Sequence, residues 1–340
     1  MKRRALPLLA FGLLLLGNTP RDETPPAALS PYIVEGELRT DDFGWMRGAF
    51  EGATDQQKTD WQSALKWSET CGDEDRKAII ADLKDMGINT ELKEMGFGGP
   101  PPCGTFWSFR HLVSVEKKWE VFVANEAKAR EIFLVYKYGT TIAAQSMPYE
   151  KAWGSKVSWD LLGKVILEQV YRKGFSWQAD KEAPKLDPSI MPYLTSHLSN
   201  ALYKEDRKNT GFLKKLVSEN GWPTISKVGE RASGNAWLLV QHADHDPAFQ
   251  LKALRLMEPL VAKGEVSKRN YAYLYDRIML KLVGMQKFGT QFGSCEKGVR
   301  QLRPLEDEKR LDEYRVSHDL EAIAEYRLMM DKAAGPCPKG

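Results

Sequence analysis

The sequence lacks the motifs that identify the large enzyme families. It contains no P-loop, no dinucleotide-binding glycine pattern, no serine elbow and no H-E-x-x-H zinc motif. Nucleotide binding and the commonest hydrolase and metalloprotease mechanisms therefore have no support in the sequence. With 340 residues, the chain is long enough for one large domain or two modest ones.

Long apolar runs are absent beyond the first residues of the chain. Lys2, Arg3 and Arg4 precede a short apolar stretch, residues 5–17. This pattern is typical of a secretory signal peptide over residues 1–17 and is too short for a comfortable transmembrane helix. No clean A-x-A cleavage site follows, which leaves an uncleaved N-terminal anchor open. We expect a periplasmic or secreted protein with no membrane span in the mature chain.

A net excess of charge is also missing from the predicted mature protein. The whole chain carries 49 basic and 46 acidic residues. The excess of three equals the three basic residues of the signal, which contains no acid, so the formal net charge falls to zero without it. Nucleic-acid binding loses its main electrostatic argument, and we expect no nucleic-acid partner.

Cysteine is scarce, with four residues and no C-x-x-C pair. This spacing does not favour a redox or zinc site. An even number in an exported chain favours disulfides, for which three connectivities exist. Proximity along the chain predicts the pairs Cys71–Cys103 and Cys295–Cys337.

Strand-like alternation is almost absent, whereas helical periodicity recurs along the chain. The sequence predicts an all-α fold, either a multi-helix bundle or stacked antiparallel helical hairpins. Only residues 32–38, "YIVEGEL", resemble a strand. Proline-rich stretches suggest a flexible leader over 18–32 and a boundary at 182–192, which separates an N-terminal helical region, 33–180, from a C-terminal helical domain, 190–332.

The stretch "QHADHD", residues 241–246, concentrates polar side chains behind the apolar run "AWLLV". Ser226 is the predicted cap of the helix that leads to it. Asp246 followed by Pro247 is typical of the start of the next helix, which explains Asp246 without a function. His242, Asp244 and His245 remain to be explained.

The two helices that follow carry polar residues on predicted buried faces. Gln250 lies at the edge of an apolar face, and Asp276 lies within "YAYLYDRIML". A buried carboxylate needs a partner, and we expect an imidazole or arginine from a neighbouring helix. In an up-down-up order of helices, His242, Gln250 and Gln291 would converge, with Asp276 beneath them in the same network.

Several separated motifs resemble a family of uncharacterised bacterial proteins known only as a domain of unknown function. They are "NGWPTISKVGE", "AWLLVQHADHDPAFQ", "LMEPLVAKGEV", "YAYLYDRI" and "GMQKFGTQ". The resemblance covers about residues 205–330 and implies a shared fold and polar set, but no reaction. The aromatic residue before "GTQ" is typically tyrosine in that family and is Phe288 here, so a phenol hydroxyl is not essential at this position.

Four interpretations of this polar set remain open. It is a structural hydrogen-bond network, a site for a small molecule, peptide or glycan, an envelope hydrolase that uses His242 as acid or base, or a metal site. H-x-D-H supplies metal-ligand types, yet three ligands within four residues rarely surround one ion, so we expect neither metal nor cofactor. The catalytic candidates are His242, Asp244 and Asp276, and the binding candidates are Gln241, Gln250, Arg277, Thr290, Gln291 and Trp222.

Overall fold

The protein was analysed as a computed structural model, which describes residues 24–92, 99–146, 155–177, 181–334 and 337. The predicted signal, residues 1–17, lies outside the described residues. Within the predicted leader, Ala27–Tyr32 forms a 3-10 helix whose Leu29 is buried. This part of the leader is therefore packed against the core and is not a free linker.

The all-α prediction is confirmed, because helices form nearly all of the described secondary structure. The α-helices are α1 Asp55–Asp85, α2 Cys103–Arg110, α3 Trp119–Ser146, α4 Lys156–Gly174, α5 Met191–Asn220, α6 Ile225–Val228, α7 Glu230–Gln241, α8 Pro247–Val261, α9 Lys268–Leu282, α10 Leu311–Ser317 and α11 Ile323–Ala334. Two antiparallel pairs of short strands complete the described fold: β1 Ile33–Val34 with β2 Glu37–Leu38, and β3 Phe292–Glu296 with β4 Val299–Leu302. The sequence indicated one strand-like stretch, residues 32–38, and the structure has the two short strands β1 and β2 there.

Helix ends follow local chemistry in most places. Thr54 and Gln57 form a capping box at the start of α1. Asp246 caps α8 through a backbone amide, as the sequence predicts, and Ser267 caps α9 in the same way. The predicted cap at Ser226 is wrong. Gly229, with a φ of +84°, breaks the expected helix into α6 and α7.

Two hydrophobic clusters form most of the described core. One is rich in aromatic residues and lies among α1, α2, α3, α4 and α5, whereas the other lies among α1, α4, α5, α7, α8 and α9. α5 enters both clusters, since its Leu198 is buried in the first and its Leu213 in the second. α5 also packs on α2, α3, α4 and α7, which places its central turns between the two clusters.

Both predicted disulfides are confirmed. Cys71 and Cys103 are bonded with their Cα atoms 6.4 Å apart, and Cys295 and Cys337 with theirs 5.5 Å apart. The first bond joins the middle of α1 to the first residue of α2. Loop closure of this kind stabilises the folded state mainly by restricting the unfolded chain. None of the described helices has the length and apolar character needed to cross a membrane.

Candidate functional site

The end of α7 and the start of α8 place the "QHADHD" stretch against α4 and α5. His242 follows the last residue of α7, and the chain turns through Ala243 and Asp246 into α8. A cleft of about 400 Å³ opens beside this turn. Its lining comes from α2, α4, α5 and the turn, and consists of Trp107, Ser108, His111, Arg172, Phe175, Ser199, Leu202, Tyr203, Asp206, His242, Asp244 and His245. Three of the five histidines in the chain line this cleft.

His242 is oriented by a carboxylate that the sequence interpretation missed. Its Nδ1 lies 2.9 Å from Oε2 of Glu168 on α4, whose side chain is fully buried. Burial pushes the pKa of Glu168 upward, but the hydrogen bond and charge of His242, with bonds from Gln169 and Arg172, outweigh it and lower the pKa. Glu168 is therefore an ionised acceptor, and Nδ1 of His242 carries the hydrogen of this bond.

A chain of polar contacts continues from Glu168 back to the cleft. Arg172 donates from Nε to Glu168 at 2.7 Å and from its terminal nitrogen Nη2 to Oδ2 of Asp206 at 2.8 Å. His242, Glu168, Arg172 and Asp206 thus form one connected row. Both ends of the row, His242 and Asp206, line the cleft.

Asp206 is a carboxyl group in an unfavourable environment for its charge. Burial raises its pKa to about 8, the Arg172 guanidinium opposes this rise, and the nearby Glu168 and Asp244 carboxylates reinforce it. Its Oδ1 is buried and has no hydrogen-bond partner among the described residues. A strongly shifted carboxyl group in a cleft is typical of a functional site.

His245 is buried beside the same cleft and stays neutral. Burial, together with the positive charge of Arg207, lowers its pKa to about 3. Neither ring nitrogen bonds another group in the described part of the chain. A neutral imidazole of this kind offers one donor and one acceptor to a bound molecule.

Asp244 is the ionised anchor of the turn. It accepts hydrogen bonds from Nε and a terminal nitrogen of Arg277 and from Nζ of Lys281, the last at 2.6 Å. Burial raises the pKa of Asp244, but these two cations outweigh it and hold the pKa far below the usual range. Arg277, predicted to bind an anion, is thereby already paired with the protein.

Gln250 and Gln241 belong to the scaffold of the same turn. The Gln250 side chain is fully buried, and its Nε2 donates to the carbonyl oxygens of Val240 and Gln241 at 3.1 Å. Its Oε1 accepts from Lys281 at 3.0 Å. The predicted need for a buried partner is met, but Gln250 does not line the cleft.

Asp276 does not share a network with His242, so this prediction is wrong. Its carboxylate accepts from the backbone amides of Lys287, Phe288 and Thr290 at 2.8, 2.9 and 2.8 Å. The expected imidazole or arginine partner is replaced by a loop that folds around the carboxylate. Burial raises the pKa of Asp276 and outweighs the lowering effect of these three amides.

The remaining binding candidates lie away from the cleft. Thr290 and Gln291 belong to the loop that Asp276 holds, and the backbone amide of Gln291 donates to Oε1 of Gln286 at 2.9 Å. Trp222 is buried in the cluster formed with α7 and α8. The predicted convergence of Gln291 with His242 and Gln250 is therefore not seen.

The residues that sequence reasoning missed lie on α4 and α5. Glu168 follows Leu161 and Val165 at helical spacing and is buried with them. An acidic residue in line with apolar ones on a helix face was therefore the sequence pattern that could have indicated it. Asp206 is less conspicuous, because it lies within the charged stretch "KEDRK". In the described part of the chain, no three His, Cys, Asp or Glu side chains are grouped to hold a metal ion.

Comparison with known proteins finds a match for the C-terminal part of the chain. No curated protein and no solved structure matches this sequence at a significant level. Residues 194–337 match the model of a family of unknown function, DUF6624. This segment supplies Asp206, His242, Asp244 and His245, whereas Trp107, His111, Glu168 and Arg172 precede it. The resemblance to an uncharacterised domain family is thus confirmed for residues 194–337, the part of the chain that is similar to DUF6624.

Proposed function

We propose that the cleft is the site of an acid–base enzyme, a hydrolase in which His242 takes a proton from an attacking water. The observation that carries this proposal is the bond between His242 and Glu168. Because Nδ1 donates to the ionised carboxylate, the neutral form of the ring has its lone pair on Nε2. Nε2 bonds no other group in the described residues, and the ring lines the cleft.

Orientation by a buried carboxylate is what a general base needs. The carboxylate holds one tautomer and stabilises the imidazolium that forms when the ring accepts a proton. Asp244, Gln250, Arg277 and Lys281 fix the turn that carries His242, because their contacts tie the ends of α7 and α9 together. Gln250, Arg277 and Lys281 support the site without lining the cleft.

The test is a screen of the purified mature protein with ester, amide and glycosidic substrates of the cell envelope. His242→Gln is expected to lower the rate by about 100-fold or more, as for loss of a general base. Glu168→Gln is expected to lower it by about 10- to 100-fold, as for loss of an orienting carboxylate.

Matched controls separate chemistry from folding. His318→Gln and Glu219→Gln remove the same groups away from the cleft and are expected to leave the rate unchanged. Circular dichroism establishes that each variant is folded. An unchanged rate in folded His242→Gln would exclude the imidazole from the reaction. Binding of a ligand with no turnover of any substrate would show a binding protein in place of a hydrolase.

We also propose that the chain is exported to the periplasm or secreted. The basic and apolar N-terminal stretch and the two disulfides support export. Fractionation of the native host, with N-terminal sequencing of the recovered protein, is expected to place it outside the cytoplasm with a new N-terminus near residue 18. Recovery from the cytoplasm with four free thiols would contradict export.

A further inference from the structure

The cleft has an apolar part and a polar part. Trp107, Phe175, Leu202 and Tyr203 contribute rings and an aliphatic side chain from α2, α4 and α5. Asp206, His242, Asp244 and His245 contribute polar groups. A ligand that fills such a cleft combines an apolar group with a hydrogen-bonding group.

When Asp206 is ionised, the free hydrogen-bonding capacity of the polar part consists mainly of acceptors. Asp206 uses Oδ2 for Arg172, while Oδ1 has no partner in the described residues. His242 presents the Nε2 lone pair, and His245 presents one acceptor nitrogen. Asp244 is excluded, because both of its oxygens are bound by Arg277 and Lys281. A hydrogen-bond donor on the ligand therefore meets a larger set of unfilled partners than an acceptor does.

The charges of the lining residues also favour a ligand that donates hydrogen bonds over an anionic one. Arg172 is the cation among the lining residues, and it is already bonded to two carboxylates, Glu168 and Asp206. An anionic ligand would meet no unpaired cation there and would lie near Asp206 and Asp244. Two rings of the apolar part are already in contact with arginines of the protein. The Arg110 guanidinium lies 3.2 Å from the centroid of Trp107, and that of Arg207 lies 5.0 Å from the centroid of Tyr203, so a cationic ligand would be held by a carboxylate and not by these rings.

We propose, building on the cleft enzyme above, that the substrate is an amine with an adjoining apolar group, and that the Asp206 carboxylate holds its nitrogen. The apolar group packs against Trp107, Phe175 and Leu202. Asp206 is a binding residue in this arrangement, and His242 remains the base.

The experiment compares three probes of similar shape: 2-phenylethylamine, 2-phenylethanol and 3-phenylpropanoate. Binding to the full mature chain is measured by histidine NMR at pH 8.5. At this pH Asp206 is largely ionised, given its pKa of about 8, and the amine, with a pKa of about 10 like that of lysine, stays protonated. His242, His245 and His111 report on the cleft, and His197 and His318 report on the rest of the chain.

The amine is expected to bind at least tenfold more tightly than the alcohol or the acid and to shift the three cleft histidines. Asp206→Asn is expected to remove this preference, and Asp73→Asn, at an exposed position on α1, to retain it. If Asp206→Asn fails to fold, the ranking of the three probes on the wild type decides alone. Tighter binding of the alcohol or acid in the cleft would overturn the amine while leaving the cleft enzyme standing. Binding of no probe at the cleft histidines would also overturn the amine, and the rate of His242→Gln in the substrate screen then decides on the cleft enzyme separately.

Discussion

Replacing Asp276 with alanine is expected to lower the free energy of unfolding by about 3–5 kcal/mol, as for loss of one partner of a buried charged group. The carboxylate is fully buried and accepts three backbone amides from the loop after α9. Without it, three amides in a water-poor environment lose their acceptor. The loop would have to open to let water reach them.

Urea denaturation of the wild type and the variant measures this effect. Asp307→Ala is the matched control, because half-buried Asp307 also accepts two backbone amides, of Lys309 and Arg310, but in hydrogen bonds that are exposed. Its loss is expected to cost about 1 kcal/mol. Equal costs for the two substitutions would show that burial of Asp276 does not determine its contribution.

Asp206→Asn is expected to make the protein more stable than the wild type at pH 8, by on the order of several kcal/mol. The pKa of Asp206 is about 8 in the folded chain and about 3.8 in the unfolded chain. Between these pH values the folded chain holds one more proton, so the stability that this carboxyl contributes falls as the pH rises. Asparagine does not titrate, so the variant lacks this loss of stability at high pH. The charged groups around Asp206 include Arg172 and Glu168 on α4, Asp244 in the turn and Arg277 on α9.

His245 is expected to act in the opposite direction on the acid side. Its pKa is about 3 in the folded chain and 6.5 in the unfolded chain. The unfolded chain holds more protons between these values, so stability falls as the pH drops through them. Melting temperatures from pH 4 to pH 9 are expected to flatten above pH 4 in Asp206→Asn and below pH 6.5 in His245→Gln. Parallel curves for Asp206→Asn and the control Asp73→Asn would refute the shift.

The fold class could be predicted from the sequence because helical periodicity is a local property. Most helix ends were also predictable, since capping by Asp246 and Ser267 depends on neighbouring residues alone. The lengths of α1 and α5 are harder to predict, because each helix contains a glycine. Gly72 and Gly211 lie inside these helices, where packing against other helices outweighs the cost of about 1 kcal/mol for a glycine.

The candidate site was predicted only in part, because its geometry depends on contacts between distant segments. "QHADHD" was correctly identified as polar and partly structural, and His242 and Asp244 do line a cleft. The partner of His242 lies 74 residues earlier in the chain, which no local pattern indicates. For Asp276 the need for a partner was correctly inferred from burial, but its partners are backbone amides. Because every residue except proline has such an amide, the sequence does not indicate which ones bind the carboxylate.

The passage of single helices through both hydrophobic clusters bears on how the chain unfolds. α1, α4 and α5 each bury residues in both clusters; Trp61 and Leu83, Tyr171 and Leu161, and Leu198 and Leu213 are examples. Unfolding one cluster would therefore disrupt helices that also form the other, which favours a single cooperative unfolding transition over two separate ones. The DUF6624 segment starts within α5, at residue 194. Cut free at that point, it would expose the apolar surface that α1 and α4 cover in the whole chain, so its solubility depends on the residues that precede it.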